Sequence, residues 1–139
     1  MSERHDQLVK ATYKLLVAIG CRDEYGNPTV WRIGQGAGKA RVNPRTRKVS
    51  YPLGQDAGVW DIVAVVPVGT LASDSPLRQL TCNQFEVIWI EVKTGKGELS
   101  HRQLVFQTAM VSAGHICFVA RDTLDGLAEL LGIKLGGQR

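Results

Sequence analysis

The chain has no long apolar run and few cysteines. None of its apolar stretches approaches the ~20 residues that a bilayer-spanning helix needs, and its basic, polar start is unlike a signal peptide. Its three cysteines, Cys21, Cys82 and Cys117, lie far apart and form no CxxC pair, which argues against a disulfide scaffold and a zinc site. We therefore expect a soluble, cytoplasmic protein without membrane contacts.

A nucleotide-binding P-loop is also missing, although two glycine-rich segments suggest one at first sight. The Walker A pattern needs four residues between its glycines and a Ser or Thr directly after its lysine. Ala40 follows Lys39, and Gly97 follows Lys96. Neither segment qualifies, so we expect no nucleotide cofactor.

Length and composition predict a single globular domain. The chain has 139 residues, 44% of them hydrophobic, which is enough for one core. It contains no internal repeat and no interdomain linker, so we treat residues 1–139 as one domain.

The hydrophobic pattern predicts the order helix, three strands, helix, strand, helix. The helices span about 2–19, 100–112 and 123–131, and the strands 29–33, 60–66, 85–93 and 115–120. Residues 34–58 form a basic, glycine-rich loop or loose hairpin, and residues 67–84 an inserted loop between core strands. A right-handed crossover makes the last two strands parallel, whereas strands 60–66 and 85–93 form an antiparallel hairpin with a long connection. We therefore predict an α/β protein with a mixed β-sheet core flanked by α-helices.

Positive charge is concentrated in one short segment. The net charge is only +4, yet residues 39–48 contain five basic side chains and no acid. These side chains are Lys39, Arg41, Arg45, Arg47 and Lys48. The segment is either a solvated, flexible loop or a surface that contacts a phosphate backbone.

The end of the predicted strand 85–93 carries the sequence Glu91-Val92-Lys93. Because side chains alternate along a strand, Glu91 and Lys93 leave one face about 7 Å apart, while Val92 leaves the other. For so common a tripeptide, a surface ion pair at the sheet edge is the alternative. Asp61 lies at the start of the neighbouring predicted strand 60–66, which would bring a second carboxylate close to this pair.

This set of side chains predicts a divalent-cation site facing a phosphate. Asp61, Glu91 and the Val92 carbonyl could supply oxygen ligands to Mg²⁺ or Mn²⁺. The cation would acidify a water and stabilise charge on a phosphodiester. Lys93 would lie beside the attacking water or the developing charge.

Five short motifs occur in order along nearly the whole chain. They are Glu3 with Gln7; Trp31-Arg32 followed by Gly34, Gly36 and Gly38; Gly58-Val59-Trp60-Asp61; Glu91-Val92-Lys93; and Ser100-His101-Arg102-Gln103. Together they resemble the PD-(D/E)xK nuclease superfamily and, within it, the compact VRR-NUC type, which is similar to Holliday-junction resolvases. Two features depart from that pattern. Trp60 replaces a proline, and the insertion 67–84 exceeds the usual hairpin, so it could cover the site, make a dimer contact or merely be tolerated.

The resemblance implies a restriction-endonuclease-like fold and a Mg²⁺- or Mn²⁺-dependent endonuclease that leaves 5′-phosphate ends on DNA. It implies that Asp61 and Glu91 bind the metal and that Lys93 is catalytic. Glu3 would be an auxiliary acid that binds metal directly or through water, and Gln103 would orient Lys93 or the water.

Several residues keep a second interpretation. Ser100 and Gln103 form a capping-box sequence, so Gln103 could serve the helix alone. Acids near a helix start are favoured by the helix dipole, which gives Glu3 a structural explanation. Arg32, Lys96 and Arg102 are candidates for DNA backbone contacts, which position nucleic acid without reading its sequence.

A domain of this size has little room for a module that reads sequence. We therefore expect recognition of DNA shape, such as Holliday junctions, and a two-fold homodimer that cuts both sides of a junction. The resemblance implies a bacterial or phage protein in the cytoplasm of the cell or infected host. The alternatives are a restriction-type or nicking endonuclease on linear duplex, and a catalytically silent nucleic-acid-binding subunit.

Overall fold

A computed structural model describes residues 3–33, 41–50 and 58–135, which contain both helices and strands. The elements are α1 Glu3–Ala18, β1 Val30–Arg32, β2 Arg41–Val42, β3 Val49–Ser50, β4 Ile62–Pro67, α2 Pro76–Leu80, β5 Phe85–Lys93, α3 His101–Ser112, β6 Ile116–Arg121 and α4 Asp125–Leu131. Within these ranges, no helix has the length and hydrophobicity required to cross a bilayer.

A four-stranded mixed sheet forms the centre of the fold, with the order β1-β4-β5-β6. Strand β4 is antiparallel to both β1 and β5, whereas β5 and β6 are parallel and joined through α3. The predicted mixed sheet flanked by helices is therefore confirmed, and β5 has the predicted bounds. Strand β4 begins later than predicted, because Trp60 and Asp61 precede its first residue.

The two faces of the sheet are covered differently. One face is fully buried against helices that include α1 and α4, and its central residues are Ile62, Ala64, Val66, Ile88, Ile90 and Val92. The other face carries Trp89, whose ring meets Phe106 of α3 edge-on with centroids 4.9 Å apart. Helix α3 has no fully buried residue, so this second face is covered only in part.

Four parts of the chain lie close together at one end of the sheet: the carboxyl ends of β5 and β6, the residues that precede β4, and the start of α1. Asp122, just after β6, donates its backbone N–H to the Lys93 carbonyl at 2.9 Å. Its carboxylate accepts from the Gly95 N–H at 2.8 Å and lies 3.1 Å from the guanidinium of Arg4 on α1. We call the end that carries Asp61, Glu91 and Lys93 the Glu91 end.

The insertion 67–84, predicted as a loop between core strands, connects β4 to β5 and contains the short helix α2. Ser75 accepts the Arg78 N–H at 3.3 Å as the N-cap of α2, and Pro76 takes the first helical position, where its missing N–H has no cost. Leu77 is fully buried, and the Ser75 hydroxyl donates to the Leu130 carbonyl of α4 at 3.1 Å. The insertion joins the carboxyl end of β4 to the amino end of β5, so it lies opposite the Glu91 end and does not cover it.

The basic segment contains a small hairpin in its described part. Strand β2 pairs with β3, and the Asn43 side chain accepts the N–H groups of Arg45 and Thr46 at 2.9 and 3.3 Å in the turn between them. The side chains of Arg45, Arg47 and Lys48 are exposed. Lys39 and the predicted loop at 34–40 and 51–57 lie outside the described residues, as does the side chain of Arg41.

Candidate active site

Glu91 is a buried carboxylate held by three donors. Its side chain is 5% exposed. Oε1 accepts the backbone N–H of Asp61 at 3.2 Å, and Oε2 accepts the Gln103 amide at 2.7 Å. The Lys93 ammonium lies 3.4 Å from Oε2 and is itself only 18% exposed. The Glu91–Lys93 pair is therefore not a surface ion pair at a sheet edge.

Burial and, second to it, the negative charge of Asp61 raise the pKa of the Glu91 carboxyl from 4.5 to about 7. The charge and hydrogen bond of Lys93, and the N–H of Asp61, act in the opposite direction. Near neutral pH this carboxyl is thus poised between its two forms. A cation between the two carboxylates would favour the ionised form.

Asp61 extends the β4–β5 ladder with its side chain. Its Oδ2 accepts the Val92 N–H at 2.8 Å. The last backbone pair of the ladder is Ile62 with Ile90, so this bond lies two residues further along β5. In a strand, the N–H and C=O of one residue point toward the same neighbour. The Val92 carbonyl therefore points to the side of Asp61, as its predicted role as a third oxygen ligand requires.

Gly58 and Trp60 pack the segment that precedes Asp61 against α3. Trp60 is fully buried, and its indole N–H donates to the Gln103 carbonyl at 3.1 Å. Gly58 has φ +97°, and a Cβ there would lie 2.7 Å from the Arg102 Cβ. The tryptophan that replaces the proline thus fastens the segment before Asp61 to the helix that carries Gln103.

Gln103 combines the two interpretations that its sequence position allowed. Its side-chain oxygen accepts the Ser100 N–H at 2.9 Å, and the Ser100 hydroxyl accepts the Gln103 N–H at 3.1 Å, which completes the capping box. Its side-chain nitrogen donates to Glu91. Gln103 therefore holds both the first turn of α3 and the Glu91 carboxylate, and its hydrogen bond at the site is to Glu91 rather than to Lys93.

His5 is a site residue that sequence reasoning missed. Its Nε2 lies 3.4 Å from Asp61 Oδ2, its Nδ1 lies 3.6 Å from the carboxylate of Asp6, and its side chain is 13% exposed. Glu3 is exposed and accepts a hydrogen bond from Gln7 at 3.4 Å. Among the described residues, His5 rather than Glu3 is the α1 side chain in contact with Asp61. His5 lies one turn before Leu8 and Thr12 on the same helical stripe, and this spacing is the signal that places it on the side of α1 that faces the sheet.

The predicted DNA-contacting residues lie in different places. Lys96 and Arg102 are exposed on the turn after β5 and on α3, near the Glu91 end. The guanidinium of Arg32 lies 5.5 Å from the centre of the Tyr13 ring, on the α1 face of the sheet, and is not brought to Glu91. Arg121 was missed: it pairs with Lys93 in parallel register, so both side chains leave the same face.

The donor set fits a hard divalent cation. Magnesium is often bound by only one or two carboxylates, with waters and substrate phosphates completing its shell, and Asp61, Glu91 and the Val92 carbonyl supply such oxygens. The like charge of Asp61 that raises the pKa of Glu91 would be neutralised by a cation. In the described part of the chain, no cluster of three or more His, Cys, Asp or Glu side chains forms a metal-binding group.

Comparisons of the chain with protein-family models, with curated proteins and with solved structures find no match.

Proposed function

We propose that the chain is a Mg²⁺- or Mn²⁺-dependent endonuclease that hydrolyses phosphodiester bonds in DNA and has a restriction-endonuclease-like fold. The observation that carries this proposal is the buried convergence of Asp61, Glu91 and Lys93 at one end of the sheet. Two adjacent carboxylates with a lysine beside them suit hydrolysis of a phosphodiester. The five motifs that resemble PD-(D/E)xK nucleases support the same reaction.

The residues that would hold the cation are Asp61, Glu91 and Val92 through its carbonyl. When bound, a divalent cation supplies an acidified water and stabilises charge on the phosphate. The chain contributes rigidity: Val92 fixes Asp61, and the Asp61 N–H and the Gln103 amide fix Glu91. Glu3, which is exposed in the first turn of α1, would act at most through water.

Lys93 would donate hydrogen bonds to the phosphate undergoing attack. Its ammonium is held beside Glu91 and is largely shielded from solvent, where a fixed cation stabilises developing negative charge more strongly than it does in water. The pairing with Glu91 also limits the positions that the flexible lysine side chain can take.

DNA binding would use the exposed basic side chains outside this cluster. Lys96 and Arg102 lie near the Glu91 end, and Arg45, Arg47 and Lys48 lie on the β2–β3 hairpin. We further propose that the enzyme selects branched DNA, such as Holliday junctions, by shape and acts as a homodimer. A symmetric cut across a junction requires two active sites related by a two-fold axis.

The test is a cleavage assay on linear, nicked, flap and four-way DNA with Mg²⁺, Mn²⁺ or EDTA. Asp61→Ala and Lys93→Ala should each lower kcat by about 10²-fold or more, as loss of a group that stabilises the transition state does. Asp74→Ala in the insertion 67–84 and Lys134→Ala after α4 remove exposed side chains away from the Glu91 end and serve as matched controls with unchanged cleavage.

Each part of the proposal has its own contrary result. Full cleavage by folded Asp61→Ala or Lys93→Ala protein, or in EDTA, would contradict the mechanism. Tight DNA binding without any cleavage would favour the catalytically silent subunit. Equal cutting of all four substrates would refute shape selection, and a monomer on DNA in sedimentation would refute the dimer.

A further inference from the structure

Trp31 is a large aromatic side chain that the fold leaves 48% exposed. The other two tryptophans are used internally: Trp60 is fully buried, and Trp89 donates its indole N–H to His115 at 3.0 Å. Single exposed apolar residues are common on protein surfaces. The exposure of Trp31 therefore indicates a binding role only together with its position relative to Glu91 and Lys93.

The register places Trp31 on the same face of the sheet as Glu91 and Lys93. Trp31 pairs with Val63, and Val63 pairs with Trp89, two residues before Glu91. Because paired residues share a face and side chains alternate along a strand, Trp31 and Glu91 leave that one face. Asp61 precedes β4, and its carboxylate lies at the end of the sheet, between the Val92 N–H and His5 of α1. Arg32, in contrast, leaves the face that carries α1.

Trp31 is also close to Asp61 along the sheet. The ladder continues past β1 through the Ile33 N–H, which donates to the Asp61 carbonyl at 2.7 Å, so Asp61 lies opposite Ile33. Trp31 is then its diagonal neighbour, at about 7–8 Å, a separation that an aromatic side chain can span. Trp31 therefore lies on the β1 side of the proposed cleavage site.

The charges around this face specify the partner. Lys93, two residues beyond Glu91 on β5, and its β6 partner Arg121 leave the same face, and both are cations that suit a phosphate backbone. A strand of DNA that lies across these cations and passes Asp61 would bring a base to Trp31. Base–aromatic stacking is sequence-tolerant, since every base has a π face.

We propose that Trp31 stacks on an unpaired base of the DNA strand next to the phosphate that is cleaved. This inference rests on the proposed nuclease function and names its substrate class: DNA with unpaired bases, as in gaps, flaps and open junctions. In an intact duplex the base faces are occupied by their neighbours, and exposing one costs unstacking energy. Trp31 thereby favours branched or gapped DNA over continuous duplex.

The experiment measures binding in EDTA, where no cleavage occurs, by anisotropy of labelled duplex, gapped duplex and four-way DNA. Trp31→Ala should weaken binding of gapped DNA by about 5- to 150-fold, the range that loss of one stacked base gives. Binding of continuous duplex should change by less than about twofold. Trp31→Phe retains a stacking ring and should recover most of the affinity.

Tyr25→Ala is the matched control, because Tyr25 is 84% exposed and lies in the turn between α1 and β1, at the other end of the sheet. It should leave all three affinities unchanged. Weakening of duplex and gapped DNA by the same factor in Trp31→Ala would overturn the inference. A change in oligomeric state on Trp31→Ala, measured by sedimentation without DNA, would also overturn it, since Trp31 would then contact a second copy.

The two proposals fail separately. If the wild-type protein prefers gapped DNA through Trp31 but cleaves nothing with Mg²⁺ or Mn²⁺, the nuclease proposal fails and the stacking role stands. If it cleaves DNA and Trp31→Ala binds gapped DNA as tightly as the wild type, the stacking role fails and the nuclease proposal stands.

Discussion

Replacing Glu91 with glutamine should stabilise the protein at alkaline pH when no divalent cation is present. The pKa of Glu91 rises from 4.5 to about 7, mainly because burial disfavours the ionised carboxylate and secondly because Asp61 repels it. Glutamine has nearly the same shape and never ionises. The variant therefore removes the cost of holding a second negative charge beside Asp61.

The sign and magnitude follow from proton linkage. Between pH 4.5 and 7 the folded protein keeps a proton on Glu91 that the unfolded chain has released, so stability falls as pH rises through this window and levels off above it. One pKa unit corresponds to about 1.4 kcal/mol, so the fall is on the order of 3 kcal/mol. Relative to the wild type, Glu91→Gln should gain roughly this amount between pH 4 and pH 8.

The assay is urea denaturation of both proteins in EDTA across that pH range. Glu129→Gln removes an exposed glutamate of α4 and should follow the wild type within about 0.5 kcal/mol. Parallel stability curves for the wild type and Glu91→Gln would refute the reasoning. Added Mg²⁺ or Mn²⁺ should stabilise the wild type at pH 8 but not the glutamine variant, since only the ionised pair offers two carboxylates to the cation.

Two further pairs of substitutions test how the site is held. Gly58→Ala combines a positive φ with a 2.7 Å approach of its Cβ to α3, so we expect a loss of about 2–4 kcal/mol in the free energy of unfolding. Gly95→Ala, which has φ +62° but open space around its Cβ, should lose only about 1 kcal/mol. Ser100→Ala removes only the helix cap, at about 1 kcal/mol, whereas Gln103→Ala should also raise the pKa of Glu91 by removing a donor. Denaturation and its pH dependence separate these cases, and equal effects within either pair would contradict the assigned contacts.

Features that depend on local pattern could be predicted from the sequence. The alternation along 85–93 gave the bounds of β5 and placed Glu91 and Lys93 on one face, and Ser100 with Gln103 marked the start of α3. Strand alternation and helix capping depend only on residues that are close together in the sequence, so both can be recognised without knowing the fold. The antiparallel and parallel pairings followed from the order of the elements and the chain length between them.

Features that depend on how distant segments meet could not be predicted. His5 reaches Asp61 only because α1 packs with its first turn at the Glu91 end, and Arg121 neighbours Lys93 only through the register of β5 with β6. Helix α2 was missed for a similar reason. Its anchor, Leu77, is buried by contacts that include α4, far along the chain, and Ser75-Pro76 alone suggests a turn as readily as a helix start.

The separation of the insertion 67–84 from the Glu91 end makes selective chemical labelling of the protein possible. Cys82, in this insertion, is an exposed thiol. Burial raises the pKa of the Cys21 thiol to about 12 and also raises the pKa of the half-buried Cys117, which leaves both poor nucleophiles at neutral pH. A maleimide dye or a surface tether attached at Cys82 would therefore mark the native chain at one point and leave the opposite end of the sheet open to DNA.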